Sequence, residues 1–173
     1  MWAFVLFETL IFTGYFSVYL LQRTGAPQAF LDAQAQLDPR IGVFNTIVLL
    51  LSSWSVAHCV QSARAGAYGS AHRDALLTVL FGVVFAVSKV SEWIGQLGRG
   101  NGIAGNEFFT FYYFLTGIHF LHLLIGFVVL AIVGYQIRGP ARRSQNLIET
   151  GATYWHTVDF LWVLIFALLY VVR

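Results

Sequence analysis

Cysteine, proline and charge are all scarce in this 173-residue sequence. A single cysteine, Cys59, excludes an internal disulfide and any thiolate-rich zinc or iron–sulfur site. Charged residues make up 10% of the chain, where a soluble domain carries about 25%. So little charge cannot cover a soluble globule with polar groups. The formal net charge of +2, with no arginine-rich stretch, excludes a nucleic-acid binder. Disorder is excluded for the opposite reason, because 58% of the residues are hydrophobic and the mean hydropathy is +0.70. What remains is a polytopic membrane protein.

Five stretches, 2–21, 43–61, 75–94, 108–135 and 152–172, hold about the 20 apolar residues that a helix needs to cross a hydrocarbon core about 30 Å thick. The chain therefore reads as one all-α membrane domain over 1–173, a bundle of five transmembrane helices. No strand alternation of the β-barrel kind appears, and no internal repeat of the transporter kind. The first span lacks a basic n-region and an A-x-A site, so it reads as a retained helix and not a cleaved signal peptide. Residues 22–42, with Pro27 and Pro39, read as an extramembrane excursion, and the glycine-rich segment 95–106 as a hairpin loop. With the N-terminus inside, the cytoplasmic loops hold Arg64, Arg73, Arg138, Arg142 and Arg143, against Arg23, Arg40, Arg99 and Arg173 outside. That balance leans toward a cytoplasmic N-terminus in a multi-pass protein of the cell's inner (cytoplasmic) membrane.

No connection is long enough for a soluble active site, so the chemistry lies with polar residues inside the spans or with a partner. These residues are Glu8, His58, Lys89, Glu92, His119, His122, His156 and Asp159. Each costs about 2.5–3.5 kcal/mol near mid-membrane on insertion scales and needs a reason to be there. Lys89, the only lysine, and Glu92 are three apart on one helix face and can form a membrane ion pair. Such a pair is either self-neutralising or a polar contact to a partner. His119 and His122, with Thr116 on the same face, are either helix-interface hydrogen-bonding groups or two ligands of a metal or haem, with Glu92 nearest in depth as a third. Glu8, His156 and Asp159, with His58 at similar depth, make a buried polar layer toward the cytoplasmic side. That layer either holds and relays protons or locks helices together. The aromatic run 108–114 reads as an interfacial belt; Tyr154, Trp155 and Trp162 read the same way, or as packing against another subunit. Gly117 and Gly126 read as sites of close helix approach.

The chain resembles subunit III of the haem–copper cytochrome c oxidases over essentially its whole length. LFETLIFTGYF is similar to that family's S-E-V-x-F-F-x-x-F-F helix and puts Glu8 on its buried carboxylate. FNTIVLLLSSWSVAHC resembles the L-N-T-x-x-L-L-x-S-S segment. EFFTFYYFLTGIHFLHLLIG resembles the F-F-x-x-T-G-x-H-x-x-H-V-x-x-G helix, carrying over Thr116, Gly117, His119, His122 and Gly126. ETGATYWHTVDFLWVLIF resembles the final E-x-x-x-x-Y-W-H-F-V-D-x-x-W helix, carrying over Glu149, Trp155, His156, Asp159 and Trp162.

Two departures stand out. The usual form has seven helices and this chain lacks the first two, which form one wall of the cleft where the family holds phospholipids. Where oxidases commonly show Q-x-x-E-Y, this chain has K-V-S-E-W from Lys89 to Trp93, which looks like the short branch associated with nitric oxide reductases. The resemblance implies a non-catalytic accessory subunit that stabilises a catalytic oxidase or nitric oxide reductase subunit and supports proton uptake. It also implies no redox cofactor of its own, no metal site and no catalytic residues, with membrane lipid left open as a ligand. The alternative from the residues alone is a membrane redox protein with its own intramembrane metal or haem. A small transporter is disfavoured, because no span is broken by proline and no repeat is visible.

Overall fold

A computed structural model of the protein describes residues 2–103, 105–139 and 143–172. Pro140, Arg142 and Arg173 lie outside the described residues. Six helices follow one another: α1 Trp2–Gly25, α2 Pro27–Gln34, α3 Pro39–Arg64, α4 Tyr68–Gly98, α5 Glu107–Arg138 and α6 Gln145–Phe166, the last running on through a π-helical turn, Ala167–Val171. Among the described residues there is no strand, and all but α2 are long and apolar enough to cross a membrane. The short turn Ala65–Ala67 and the N-terminus mark one end of the bundle, called the N-terminal face below. Helix α2, the α4–α5 loop and the chain's C-terminal end mark the other, the α2 face.

The helices outrun the apolar stretches read from the sequence. At 1.5 Å per residue the 32 residues of α5 span about 48 Å, well beyond the bilayer core. Hydropathy sees only the lipid-matched middle, whereas caps set the true ends. Pro39 starts α3, where a missing N–H is harmless, and Asp38 accepts from the Arg40 N–H at 2.9 Å. Asn106 caps α5 in the same way through the Phe108 N–H at 2.9 Å. The excursion expected at 22–42 is a helical hairpin. α2 folds back so that Phe30 packs edge-on to Tyr19 of α1 and Phe108 of α5. Gln34 Nε2 and Arg23 Nη1 both donate to the Val172 carbonyl, at 2.9 and 2.7 Å, which ties α2 and α1 to the chain's end.

α3 packs on α4 and α6, and α5 on α6 and α4, so α6 is the most enclosed span. Trp155 and Trp162 of α6 lie fully buried at its centre, with Phe85, Leu123 and Tyr112 around them. Neither tryptophan is a belt residue, nor is either on a partner-facing surface; each indole N–H is satisfied inside, by Ser52 Oγ at 2.9 Å and Thr46 Oγ1 at 3.1 Å. Trp155 fits because its neighbours are glycines. A Cβ on Gly126 would sit 2.8 Å from the indole Cζ3, and one on Gly82 would sit 3.0 Å from its Cη2. Gly117, by contrast, faces open space and is not a site of close approach. Gly126→Ala is therefore expected to destabilise the protein by about 1–3 kcal/mol through overpacking, whereas Gly117→Ala should be neutral or stabilising. Thermal denaturation of the two purified variants distinguishes them.

α1 sits at the edge. Glu8, Phe12, Tyr15 and Tyr19 recur at helical spacing and form the face it turns to α5, through Phe12–His122, Tyr15–Phe114 and Tyr19–Phe111 ring contacts. Leu6, Phe7 and Leu10 point away, each more than 60% exposed.

Candidate functional site

Two buried polar clusters occupy opposite ends of the bundle. The first lies toward the α2 face. Lys89 projects from α4 toward α5 and the end of α6 and is 1% exposed. An ammonium has three N–H donors to place. They reach Glu92 Oε2 at 2.9 Å, Tyr170 Oη at 2.8 Å and Tyr112 Oη at 3.1 Å. Tyr170 donates in turn to Glu92 Oε1 at 2.7 Å. The Tyr112 and Trp162 rings also face the charge, 4.5 and 5.1 Å from their centroids. Every ammonium donor is met, the condition on which a charge can be taken out of water. Glu92 also lines a cavity of about 280 Å³ whose walls include Asp38 and Arg99 at the α2 face.

The second cluster lies toward the N-terminal face. His156 Nδ1 and Ser53 Oγ are 2.6 Å apart. The Ser53 hydroxyl also lies beside Asp159, whose two carboxylate oxygens make no hydrogen bond of good geometry and are buried. His156 lines a cavity of about 300 Å³, walled at its outer end by Arg64 and Glu149, which pair at 2.8 Å. An imidazole at the inner end of an open cavity, a bridging hydroxyl and a buried carboxyl can take up, pass and hold a proton.

Glu8 does not join this group. Its Oε2 lies 3.1 Å from His122 Nε2 on α5, because the face α1 turns inward meets α5. His122 Nδ1 lies 2.8 Å from the Ile118 carbonyl. A carbonyl only accepts, so Nδ1 carries a proton. Nε2 then either accepts from a protonated Glu8 or shares its own proton with the carboxylate. The pair is neutral overall either way and holds one transferable proton between its two members. His58 turns elsewhere again, to Asp74 of α4 at 3.2 Å, with its side chain half exposed.

His119 stands apart from His122. It is fully buried between the Phe85 and Trp162 rings, at centroid distances of 5.6 and 5.3 Å, and neither ring nitrogen has a hydrogen-bond partner. Thr116 accepts from Trp93 Nε1 at 3.2 Å and donates to the Tyr112 carbonyl at 2.6 Å, as a helix-interface group does. His119, His122 and Glu92 thus have three different sets of neighbours and do not converge. Among the described residues no group of three or more His, Cys, Asp or Glu side chains is placed to hold a metal.

Sequence reasoning missed Tyr112, Tyr170, Ser53 and Asp74. Tyr112 fell inside the aromatic run read as an interfacial belt, yet it is fully buried against Lys89. The one available signal was the lone lysine, since a buried ammonium must find acceptors in neighbouring helices at its own depth.

A family model described as cytochrome c oxidase subunit III matches residues 1–172. Among similar proteins, a cytochrome c oxidase subunit 3 of Thermostichus vulcanus is 28% identical over 98% of this chain and 84% of its own length. One from Synechocystis sp. is 30% identical over 96% of this chain and 72% of its own. A probable cytochrome c oxidase subunit 3 of Mycobacterium tuberculosis is 28% identical over 96% of this chain and 83% of its own.

Proposed function

The chain belongs to the cytochrome c oxidase subunit III family, and we propose that it is the non-catalytic accessory subunit of a haem–copper reductase in the inner membrane. Its catalytic partner reduces oxygen or, as the K-V-S-E-W departure at Lys89 suggests, nitric oxide. The observation that carries this reading is the match along the whole chain, supported by the apolar faces left uncovered. Only 17% of the α1 window and 28% of the α4 and α5 windows are buried within the chain. These faces suit lipid and a docked catalytic subunit. In this reading the N-terminal face is cytoplasmic, and the Arg64–Glu149 cavity admits protons to His156, Ser53 and Asp159.

Affinity purification of the tagged chain in mild detergent is the direct test. A stoichiometric haem-bearing catalytic subunit is expected, with oxygen or nitric oxide consumption assigning its substrate. Recovery of the chain without any companion would overturn the reading. A Soret band or a stoichiometric metal in the chain freed of its partner would favour a redox centre of its own. For the proton role, His156→Phe and Asp159→Asn are expected to leave assembly intact and slow turnover several-fold at alkaline pH, where proton supply limits. Unchanged rates across the pH range would leave only a structural role.

A further inference from the structure

Ser88, Ser91, Glu92, Gln96 and Arg99 recur three and four residues apart near the end of α4 and form a polar stripe. The residues between them, Val87, Val90, Ile94 and Leu97, are exposed and apolar. The stripe is one wall of the cavity of about 280 Å³ at the α2 face, and the start of α3 supplies Asp38 and the only apolar side chain, Ile41. Glu92 stands seven residues in from Arg99, about 10 Å at 1.5 Å per residue, and Ser88 stands about 16 Å in. A space so polar, and many times larger than a single water needs, holds water. Glu92 has capacity to meet it. A carboxylate offers about four lone-pair sites, and Lys89 and Tyr170 use one on each oxygen, at 2.9 and 2.7 Å.

Behind Glu92 the polar groups close into a ring. Lys89 donates to both Glu92 and Tyr170, and Tyr170 donates to Glu92. Lys89 itself does not line the cavity. The other charged or titratable groups around the carboxylate are Asp38 and Arg99 in the cavity wall and Tyr112 and Tyr113 on α5, the last donating to the Asn101 carbonyl at 2.9 Å. Protonating Glu92 takes away the counter-ion of Lys89. What remains suits a lone ammonium: the Tyr112 and Tyr170 oxygens at 3.1 and 2.8 Å, and the Tyr112 and Trp162 ring faces at 4.5 and 5.1 Å. The cluster is therefore built to hold its charge with Glu92 ionised or neutral.

We propose that Glu92 is a proton-exchange site served through this water-filled cavity from the α2 face. A hydronium at the inner end of the cavity gives its proton to the carboxylate, leaving a water and a neutral carboxylic acid, while Lys89 stays an ammonium; release runs back the same way. The site is separate from the His156 cluster, which opens toward the N-terminal face, and does not depend on which catalytic subunit the chain serves. Gly95, in the cavity wall, is the point at which to block it. A Cβ there meets nothing within 4 Å, and leucine is a better helix former than glycine, so Gly95→Leu fills the cavity without straining the fold.

Two measurements on the full chain in membranes, with any subunit it carries, are the test. The native thiol, Cys59, is buried, so the parent gives a low background with a membrane-impermeant methanethiosulfonate. Ser88→Cys is expected to react at least about ten-fold faster than Val87→Cys at the same depth, because the reactive thiolate forms in water and not against apolar surface. Adding Gly95→Leu to Ser88→Cys should remove that advantage. In infrared difference spectra on acidification, the parent should gain a protonated-carboxyl band that the double variant Lys89→Met/Glu92→Gln lacks. Gly95→Leu should form that band several-fold more slowly. Equal reaction of the two introduced thiols, a band that the double variant keeps in full, or a band that forms as fast in Gly95→Leu as in the parent would each overturn the assignment.

Discussion

Exchanging Lys89 for methionine is expected to destabilise the protein by about 3–5 kcal/mol, as breaking a buried pair by removing one partner does elsewhere. The reason lies in what is left behind. Glu92, its side chain 2% exposed, would lose the ammonium and keep only the Tyr170 hydroxyl. Tyr112 and Tyr170 would each lose a donor. The expected response is not a small loss of packing, since methionine fills much of the lysine's volume, but an uncompensated charge that must be protonated or hydrated. Glu92→Gln should be similarly damaging, because it strands the ammonium. The double variant Lys89→Met/Glu92→Gln should recover most of the loss. Thermal denaturation of the three variants closes a double-mutant cycle. Additive losses would show that the two side chains act separately and that the ion pair is not the unit of stability.

The same residues show what is legible in a membrane sequence and what is not. Hydropathy alone counts the five spans, because a lipid core demands long apolar runs whatever the topology. A spacing of three is enough to put Lys89 and Glu92 on one face, and the structure has them 2.9 Å apart. Which helices are neighbours is another matter. Glu8 reads as a companion of His156 and Asp159 by depth; α1 does touch α6, but its Glu8 carboxylate turns to His122 of α5 instead. Tyr112 and Trp162 read as belt residues by composition, because an aromatic side chain at a span's end looks the same from the sequence whether it faces lipid or a buried lysine. Helix ends differ most where polar residues extend a span past the lipid core: α4 begins at Tyr68 and α6 at Gln145, ahead of the apolar runs that start at 75 and 152, and hydropathy is blind to such turns.

Placing the two clusters at opposite ends has a consequence for how charge moves. Between them stand Phe85, Trp162 and the unpartnered His119, an aromatic layer with no hydrogen-bonded link from Asp159 to Lys89 among the described residues. Under the proposed proton role, the side chains that would serve it run from the Arg64–Glu149 cavity to His156, Ser53 and Asp159 and lie apart from the Lys89–Glu92 pair.

That aromatic layer is only as firm as the tryptophans below it, and Trp155→Ala is expected to cost about 3–5 kcal/mol. In a bilayer the transfer of apolar surface contributes little, since lipid tails are as apolar as the bundle's core. The loss comes instead from van der Waals contact and from the cavity left where the indole filled the hollow between Gly82 and Gly126. Small residues on both sides cannot collapse into that space. Ser52 would also lose the donor it accepts at 2.9 Å. Trp54 on α3 provides the contrast, being 67% exposed. Trp54→Ala should change the stability of the chain by no more than about 0.5 kcal/mol, yet weaken retention of the catalytic subunit if that face docks it. Denaturation midpoints and co-purification yields, measured on both variants, separate the two roles. Equal losses of stability from both substitutions would mean that Trp155 is not the keystone between α4, α5 and α6 that its glycine neighbours imply.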